Sequence, residues 1–418
     1  MITGKSGNSY VRRIAVVFIA ITVISLVLSV SPKRISGDFD VYYNASRNYL
    51  AGSAVYSSHE GGIEEFKYLP LFALVFSPFA VMERIPSFYL WSFLNIFLFY
   101  FMFYFIHKLK LLSFSRGKDF LIIFFLFALT GRYIFANIRI GQVNILLSFL
   151  LVLMMYFEIK KKDFWASVCL AFSLMIKLFP LVFLGYFILR RRFKIAGYTI
   201  SLMAVFLLLP SIYSGSGGNL KYLEDWLNLL KITPAQMLYS VKNYSVLAFF
   251  SWFFIARHEP YYIFDYHLIT KALTLQVYLA WAASCFVLFI LFFYDRIFKQ
   301  ERDLEPPYLD YACLFACGLL FNPFAYLNAL VFLIVPYFFI LRSLFYSKLN
   351  KAWLAAIGLL TLFCFVLSMA NNKVFFPDNQ QFHTVLKYRI PLWTIILVYL
   401  NLWLIKLSFK LRAKKVNC

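Results

Sequence analysis

Long apolar runs follow one another through this chain, and they constrain its fold more than any other feature. Of the 418 residues, 62% are hydrophobic, whereas soluble domains average about 45–50% apolar residues. A run of roughly 18 apolar residues is long enough to cross the hydrocarbon core of a bilayer as a helix. A helix pairs its backbone N–H and C=O groups within its own segment, as that environment demands. The sequence therefore predicts an all-α, polytopic integral membrane protein.

We expect about twelve transmembrane helices, and the charged loops between them predict their orientation. The predicted spans are residues 12–30, 87–106, 120–136, 142–157, 164–176, 178–189, 195–213, 271–294, 308–321, 324–345, 352–370 and 390–407. When these spans alternate across the membrane, every strongly basic loop falls on one side (108–118, 159–162, 190–194, 295–302 and 409–415). Basic loops mark the cytoplasmic side. Both termini are then cytoplasmic, and we expect the chain in the plasma (inner) membrane of the cell.

The long loops fall on the opposite, extracytoplasmic face, which suggests that the protein acts there. Five of the 19 acidic residues lie between positions 33 and 78. Residues 220–231 are typical of a short amphipathic helix at the membrane interface. No linker or repeat separates a soluble domain. We therefore expect one transmembrane domain, residues 1–418, with a first exoplasmic, catalytic loop at 31–86 and a second at 214–270.

The formal charge of +22 does not indicate a nucleic-acid-binding protein, because no basic domain stands apart from the spans. The cations instead indicate contact with the lipid bilayer, whose anionic headgroups attract them. Cys313 and Cys317 lie one helical turn apart, yet no His or further Cys accompanies them, so they are typical of buried thiols rather than of a metal site. Nothing in the sequence calls for a metal or a cofactor.

Two carboxylates, Asp38 and Asp40, follow the first predicted span by about eight residues. One carboxylate near the membrane surface is suited to take the proton from an acceptor hydroxyl as a general base. The alternative is that both are solvated loop acids. The aromatic and apolar residues around them, among them Tyr42, argue against that alternative.

A second set of polar residues interrupts or borders the apolar runs. Arg132 and Arg139 flank the turn predicted between two spans, Gln142 and Asn144 follow it, and Lys177 breaks an apolar run. Cations at this depth suit a lipid-linked phosphate, which gains negative charge as its sugar leaves. The alternatives are interface anchors and, for the lysine, a side chain that extends to the membrane surface. The placement of the three cations on one predicted face favours a shared function.

Several short motifs, in matching order, resemble those of family 87 glycosyltransferases. They are Asp38-Phe-Asp-Val-Tyr-Tyr, Phe66-Lys-Tyr68-Leu-Pro70, Gly141-Gln142-Val-Asn144, Ile176-Lys177-x-x-Pro180 and Lys242-Asn243-Tyr-Ser245. This family of the GT-C superfamily uses polyprenyl-phosphate sugars and includes α-1,2-mannosyltransferases and arabinofuranosyltransferases of bacterial envelopes. The resemblance implies a GT-C-type fold and an inverting hexosyl or pentosyl transfer, mannosyltransferase-like. The donor would be a polyprenyl-phosphate sugar, and the acceptor a hydroxyl of a lipid-linked or envelope glycan.

The resemblance also assigns roles to residues. It implies that Asp38, rather than Asp40, is the catalytic base. The remaining expected site residues contact substrate, and they are Asp40, Tyr42, Tyr68, Arg132, Arg139, Gln142, Asn144, Lys177, Asn243 and Asn328. Asn328 departs from the family, which usually has a His there, and an amide cannot titrate. A transporter or flippase of polyprenyl-linked sugars or lipids stays open as the alternative function, because it too would need cations within a cavity.

Overall fold

The structure is a computed structural model that describes residues 37–56, 65–112, 117–232, 242–254, 271–294, 307–347, 349–370 and 389–417. The predicted span 12–30 and parts of the predicted outer loops (57–64, 233–241, 255–270 and 371–388) lie outside these ranges. Within them the secondary structure is helical, with no strand, which confirms the all-α prediction.

The chain divides into two compact units, residues 1–124 with 131–232 and residues 125–130 with 233–418. Helices assigned to the first unit are α1 (Asp38–Leu50), α2 (Pro70–Ala80), α3 (Arg84–Lys108), α4 (Gly117–Ile140), α5 (Asn144–Ile159), α6 (Asp163–Ile176), α7 (Leu181–Leu189), α8 (Phe193–Leu208) and α9 (Ser211–Ile232). Residues 125–130 of α4 group with the second unit. The single domain over residues 1–418 stays a prediction.

The second unit contains the remaining described helices. These are α10 (Val246–Phe254), α11 (Lys271–Tyr294), α12 (Pro307–Phe321), a 3₁₀ helix (Leu327–Leu333), α13 (Ile334–Tyr346), α14 (Lys351–Ala370) and α15 (Ile390–Asn417). The described cysteines of the whole chain are buried thiols without a disulfide, as expected from their apolar neighbours (Cys169, Cys285, Cys313, Cys317 and Cys364).

Within the described ranges, six helices are long and apolar enough to cross a membrane. They cover Arg84–Lys108, Gly117–Ile140, Leu275–Tyr294, Leu327–Tyr346, Lys351–Met369 and Ile390–Arg412. Four further apolar helices, α2, α5, α6 and Tyr308–Phe321 in α12, are shorter. The chain is therefore a multi-pass membrane protein. The total of about twelve spans stays a prediction.

Proline explains where one predicted span differs from the structure. The span expected over 195–213 ends early, because α8 stops at Leu208 and α9 begins just after Pro210, which cannot donate the backbone bond that would continue α8. The two helices meet at an angle of 91°. The predicted amphipathic helix 220–231 lies within α9, where Tyr222 and Leu229 are buried and Leu227 is exposed.

Candidate active site

Two glycines hold the start of α1 directly against the turn that joins α4 to α5. Gly37 precedes α1 with a φ of 132°, and Gly141 lies in the turn with a φ of 68°. A Cβ on Gly141 would lie 2.5 Å from the Cβ of Phe39, closer than two carbon atoms can approach. The indole of Trp91 also donates to the Gly141 carbonyl at 2.7 Å. Asp38, the half-buried first residue of α1, is therefore held at this turn.

The second carboxylate of α1, Asp40, is engaged elsewhere. Both of its oxygens accept from the guanidinium of Arg84, with Nε–Oδ1 and Nη2–Oδ2 distances of 2.7 and 2.6 Å. Positions two apart on a helix point about 200° from each other, so Asp38 and Asp40 face different surroundings. This difference agrees with the choice of Asp38 over Asp40 as the candidate base.

Two buried tyrosines connect α1 to the turn before α5. Tyr42 donates to the amide oxygen of Gln142 at 2.9 Å, so the 2.8 Å contact between the Tyr42 and Tyr68 hydroxyls has Tyr68 as its donor. Burial raises the pKa of Tyr42 well above its usual value, and the neighbouring Tyr68 and Asp38 add to this shift. Tyr42 is therefore a neutral donor that fixes the orientation of the glutamine amide.

Lys177 lies at the centre of this group. It follows the last residue of α6 with an extended backbone, and its ammonium donates to Asn144 Oδ1 at 2.7 Å and to Gln142 Oε1 at 3.2 Å. The ring of Tyr68 lies 5.7 Å from Nζ, within the range of a cation–π contact. An ammonium has three N–H donors, and these two bonds use two of them.

The charge on Lys177 is balanced at a distance rather than by contact. Within the described part of the chain, no carboxylate lies within 4.0 Å of its Nζ. Burial lowers its pKa to about 8, and the attraction of nearby Asp38 opposes that shift without cancelling it. Lys177 is therefore a half-buried cation bonded to neutral oxygens, and the Asp38 carboxylate is near enough to affect its pKa.

One of the two arginines does not lie as the sequence predicted. The span expected to end at 136 continues as α4 to Ile140, the residue before Gly141. Arg132 lies well inside α4 and does not flank the turn, so that expectation is wrong for Arg132. Arg139 is in the last turn of α4 and is exposed. A separation of seven residues places both on one side of the helix, about 10 Å apart along its axis.

Sequence reasoning missed Asn137, which completes the polar group. Its Oδ1 accepts from Asn144 Nδ2 at 3.1 Å, and its own Nδ2 donates to the carbonyl of Tyr133 at 2.7 Å. The direction of these bonds is forced at both ends, since Lys177 can only donate and a carbonyl can only accept. An asparagine seven residues before Asn144, within an apolar helix, was the available signal.

In the second unit, Asn243 joins two chain segments. Its Oδ1 accepts from the backbone N–H groups of Ser245 and Ala325, both at 3.1 Å, while its Nδ2 donates to the Pro323 carbonyl at 3.0 Å. Buried Arg389, which the sequence analysis did not single out, donates to the Asn243 carbonyl. The contacts give the asparagine a structural role, and its predicted contact with substrate stays a prediction.

Asn328 lies in the first turn of the 3₁₀ helix and is half-buried. Its predicted role in place of a family histidine stays a prediction. Over the ranges described, no group of three or more His, Cys, Asp or Glu side chains is arranged to hold a metal ion.

The match to a known family is decisive for the class of protein. The sequence model of glycosyltransferase family 87 matches residues 66–323, more than half of the chain. The chain belongs to glycosyltransferase family 87. A comparison with curated proteins found no match.

As a family 87 member, the chain is a membrane glycosyltransferase, which uses a sugar donor and a glycan acceptor. The matched region includes Lys177 and the residues around its ammonium, which are Tyr68, Gln142 and Asn144. Asp38 precedes that region, and the structure brings it to the same turn through the α1 contacts.

Proposed function

We propose that this enzyme transfers a sugar, with inversion, from a polyprenyl-phosphate donor to a hydroxyl of a lipid-linked or envelope glycan. The reaction would take place at the extracytoplasmic face of the plasma (inner) membrane. The observation that carries the proposal is the ammonium of Lys177, held by two amide oxygens, with the carboxylate of Asp38 nearby. The donor sugar would be a mannose-like hexose or a pentose.

The proposed step needs opposite charges on the two sides of the sugar. The acceptor oxygen attacks the anomeric carbon as the bond from that carbon to the phosphate oxygen breaks, and the leaving phosphate takes the electron pair. Asp38 receives the proton of the acceptor hydroxyl. Lys177 is proposed to stabilise the phosphate charge, and Arg132 and Arg139 to add positive charge on the same side.

The bonding of Lys177 is compatible with an inverting reaction. Its ammonium bonds to neutral amide oxygens, so its positive charge is not cancelled by a direct bond to a carboxylate. Inversion requires the base and the leaving group on opposite faces of the sugar, and we propose that Asp38 acts on one face while Lys177 acts on the other.

The neutral polar residues are proposed to position substrate. Gln142 and Asn144 bond to the lysine, the Tyr68 ring lies beside it, and Tyr42 bonds to Gln142; we propose that these four residues contact the donor. Asn243 and Asn328 are each proposed to contact substrate, and Asp40 to support α1 through its pair with Arg84.

Exchange of Asp38 for Asn tests the proposal, with Asp40→Asn as the matched control on the same helix. A positioned general base contributes about 10²–10⁴-fold to a rate, so D38N should lose at least 100-fold in turnover while it still binds donor. D40N should stay within a few-fold of the wild-type rate. The assay uses the full-length protein in lipid nanodiscs with a panel of polyprenyl-phosphate sugars and a glycan acceptor.

The same variants separate the enzyme from a transporter. A flippase of polyprenyl-linked sugars would move its lipid substrate in vesicles with D38N as well as with the wild-type chain. Wild-type turnover in D38N, or lipid movement without any sugar transfer by the wild-type protein, would contradict the proposal.

A further inference from the structure

Three helices of the first unit end in the same unusual way. Just past the C-termini of α3, α5 and α7, a basic residue has a left-handed backbone: Lys110 with φ 59°, Lys161 with φ 57° and Arg191 with φ 55°. Each donates its N–H to the carbonyl three residues earlier, at 2.8, 2.9 and 2.9 Å, and the next N–H reaches back five residues. This pair of bonds is the Schellman motif.

Glycine is the residue that such a position favours. A side chain in the left-handed region brings Cβ against the backbone, a strain that glycine lacks. Here a lysine or arginine occupies each of three equivalent positions in spite of that strain. Attraction to the helix C-terminus does not account for the choice, because Lys108, Lys160 and Arg190 already place a cation at or beside the end of each helix.

The three turns lie side by side. The rings of Phe105 and Tyr156, near the ends of α3 and α5, are 5.0 Å apart. Arg192, which follows α7, pairs with both Glu158 and Asp163 at 2.9 Å and so joins its turn to the one after α5. We call the surface formed by Lys110, Lys161 and Arg191 the basic turn surface.

No carboxylate of the described residues compensates the charge of the basic turn surface. Arg192 occupies both carboxylates of the adjoining turn. Lys110, Lys161 and Arg191 are all exposed, and none forms an ion pair with a carboxylate of the described residues. An anion from outside the chain would therefore meet three cations that no carboxylate within the described ranges already occupies.

Exposed apolar side chains border these cations and identify the anion. Phe164, Trp165 and Phe193 are 47%, 55% and 64% exposed and follow the turns directly. Aromatic side chains beside lysine and arginine are typical of the boundary between headgroups and hydrocarbon. This surface lies at the opposite end of α5 from Asn144, about 24 Å away along the helix.

We propose that Lys110, Lys161 and Arg191 bind the phosphates of anionic phospholipids at the membrane surface opposite the candidate active site. At each of these helix ends the chain has a cation in a left-handed conformation that glycine would adopt with less strain. The occupant is a lipid headgroup rather than a soluble anion, because hydrophobic rings continue the surface towards the hydrocarbon. The proposal is independent of the transfer reaction.

The test replaces the three residues with the one that the backbone prefers. The triple variant K110G/K161G/R191G is compared with the charge-retaining variant K110R/K161R/R191K, each as the full-length protein in nanodiscs of phosphatidylcholine or of phosphatidylcholine with phosphatidylglycerol. Each surface cation contributes about 1 kcal/mol to binding at an anionic membrane, a factor of about 5. The glycine variant should bind phosphatidylglycerol roughly 100-fold more weakly at low salt.

Thermal unfolding supplies the second measurement. In phosphatidylcholine alone, the glycine variant should unfold at the wild-type temperature or above it. Phosphatidylglycerol should raise the midpoint of the wild-type and charge-retaining proteins only. The proposal is overturned if the glycine variant keeps the response to phosphatidylglycerol, if it unfolds earlier in phosphatidylcholine alone, or if inorganic phosphate reproduces the lipid effect.

Discussion

Replacing Lys177 with arginine should change how donor binding depends on pH. Burial lowers the pKa of Lys177 to about 8, so the side chain loses its charge within a pH range that a binding assay can cover. A guanidinium, with an ordinary pKa above about 12, stays charged throughout that range. If this cation holds the donor phosphate, the wild-type protein loses affinity as the pH rises, whereas K177R does not.

The size of the effect follows from the lysine pKa. With a pKa of about 8, roughly nine tenths of the side chains are charged at pH 7 and one tenth at pH 9. A hydrogen bond to a charged group contributes about 1.5–3 kcal/mol, so the neutral lysine binds phosphate roughly 10- to 150-fold less well. The apparent affinity of the wild-type protein should therefore fall roughly 5- to 10-fold from pH 7 to pH 9.

Binding of a polyprenyl phosphate to the protein in nanodiscs measures this directly between pH 7 and pH 10. The second pKa of the phosphate is about 6, so the ligand keeps its charge across the titration. K177R should bind more weakly at pH 7, because the planar guanidinium does not match the two amide oxygens that hold the ammonium. Its affinity should nevertheless be the same at every pH tested. K177M should bind weakly at every pH tested.

The reasoning fails if K177R shows the same alkaline decline as the wild-type protein, since another group would then be titrating. It also fails if wild-type affinity is constant to pH 10. Either result would leave the lysine as a structural residue of the turn.

Three further substitutions test the geometry around this site. Gly141→Ala should lower the unfolding midpoint and abolish transfer, because the added Cβ collides with α1 at a cost of about 1–3 kcal/mol. Gly185→Ala is the control, since a Cβ there has nothing within 4 Å. It should leave the midpoint and the activity unchanged in the same assays. Asn137→Leu should weaken polyprenyl phosphate binding and lower the midpoint, because it removes an acceptor of the Asn144 amide at a cost of about 1–3 kcal/mol. Asn137→Gln, which keeps an amide oxygen and an amide N–H, should lose less of both. Asp40→Asn should cost under about 1 kcal/mol in stability by denaturant titration, since the side chain of its arginine partner is 44% exposed and such pairs contribute little. A larger loss would show that the pair does more than support α1.

The sequence was sufficient for the class of protein and for most of the residues around Lys177. Hydropathy alone indicates a multi-pass helical protein, because no soluble fold uses so many long apolar runs. The motifs that resemble family 87 are short and local, and the family match confirms the family over a region that contains four of the five. Gly141, Gln142 and Asn144 could be recognised together because they are adjacent in the chain.

The contacts that give these residues their roles could not be read from the sequence. Tyr42 reaches Gln142 across 100 residues, and the pairing of Asp40 with Arg84 spans 44. Asn137 has only its spacing from Asn144 as a signal, and its contact with Asn144 could not be read from that spacing alone. Arg132 was misplaced for a simpler reason: it lies within the predicted span 120–136, and the helix continues to the residue before Gly141.

The lengths of α5 and α6 have a consequence for the membrane around the enzyme. These helices contain 16 and 14 residues, about 24 and 21 Å, against a hydrocarbon thickness of about 30 Å. A hydrophobic stretch shorter than the bilayer thins the lipid around it. Such thinning would draw the headgroup layer down towards Lys177, so that a lipid-linked phosphate would reach the ammonium without being lifted out of its own leaflet.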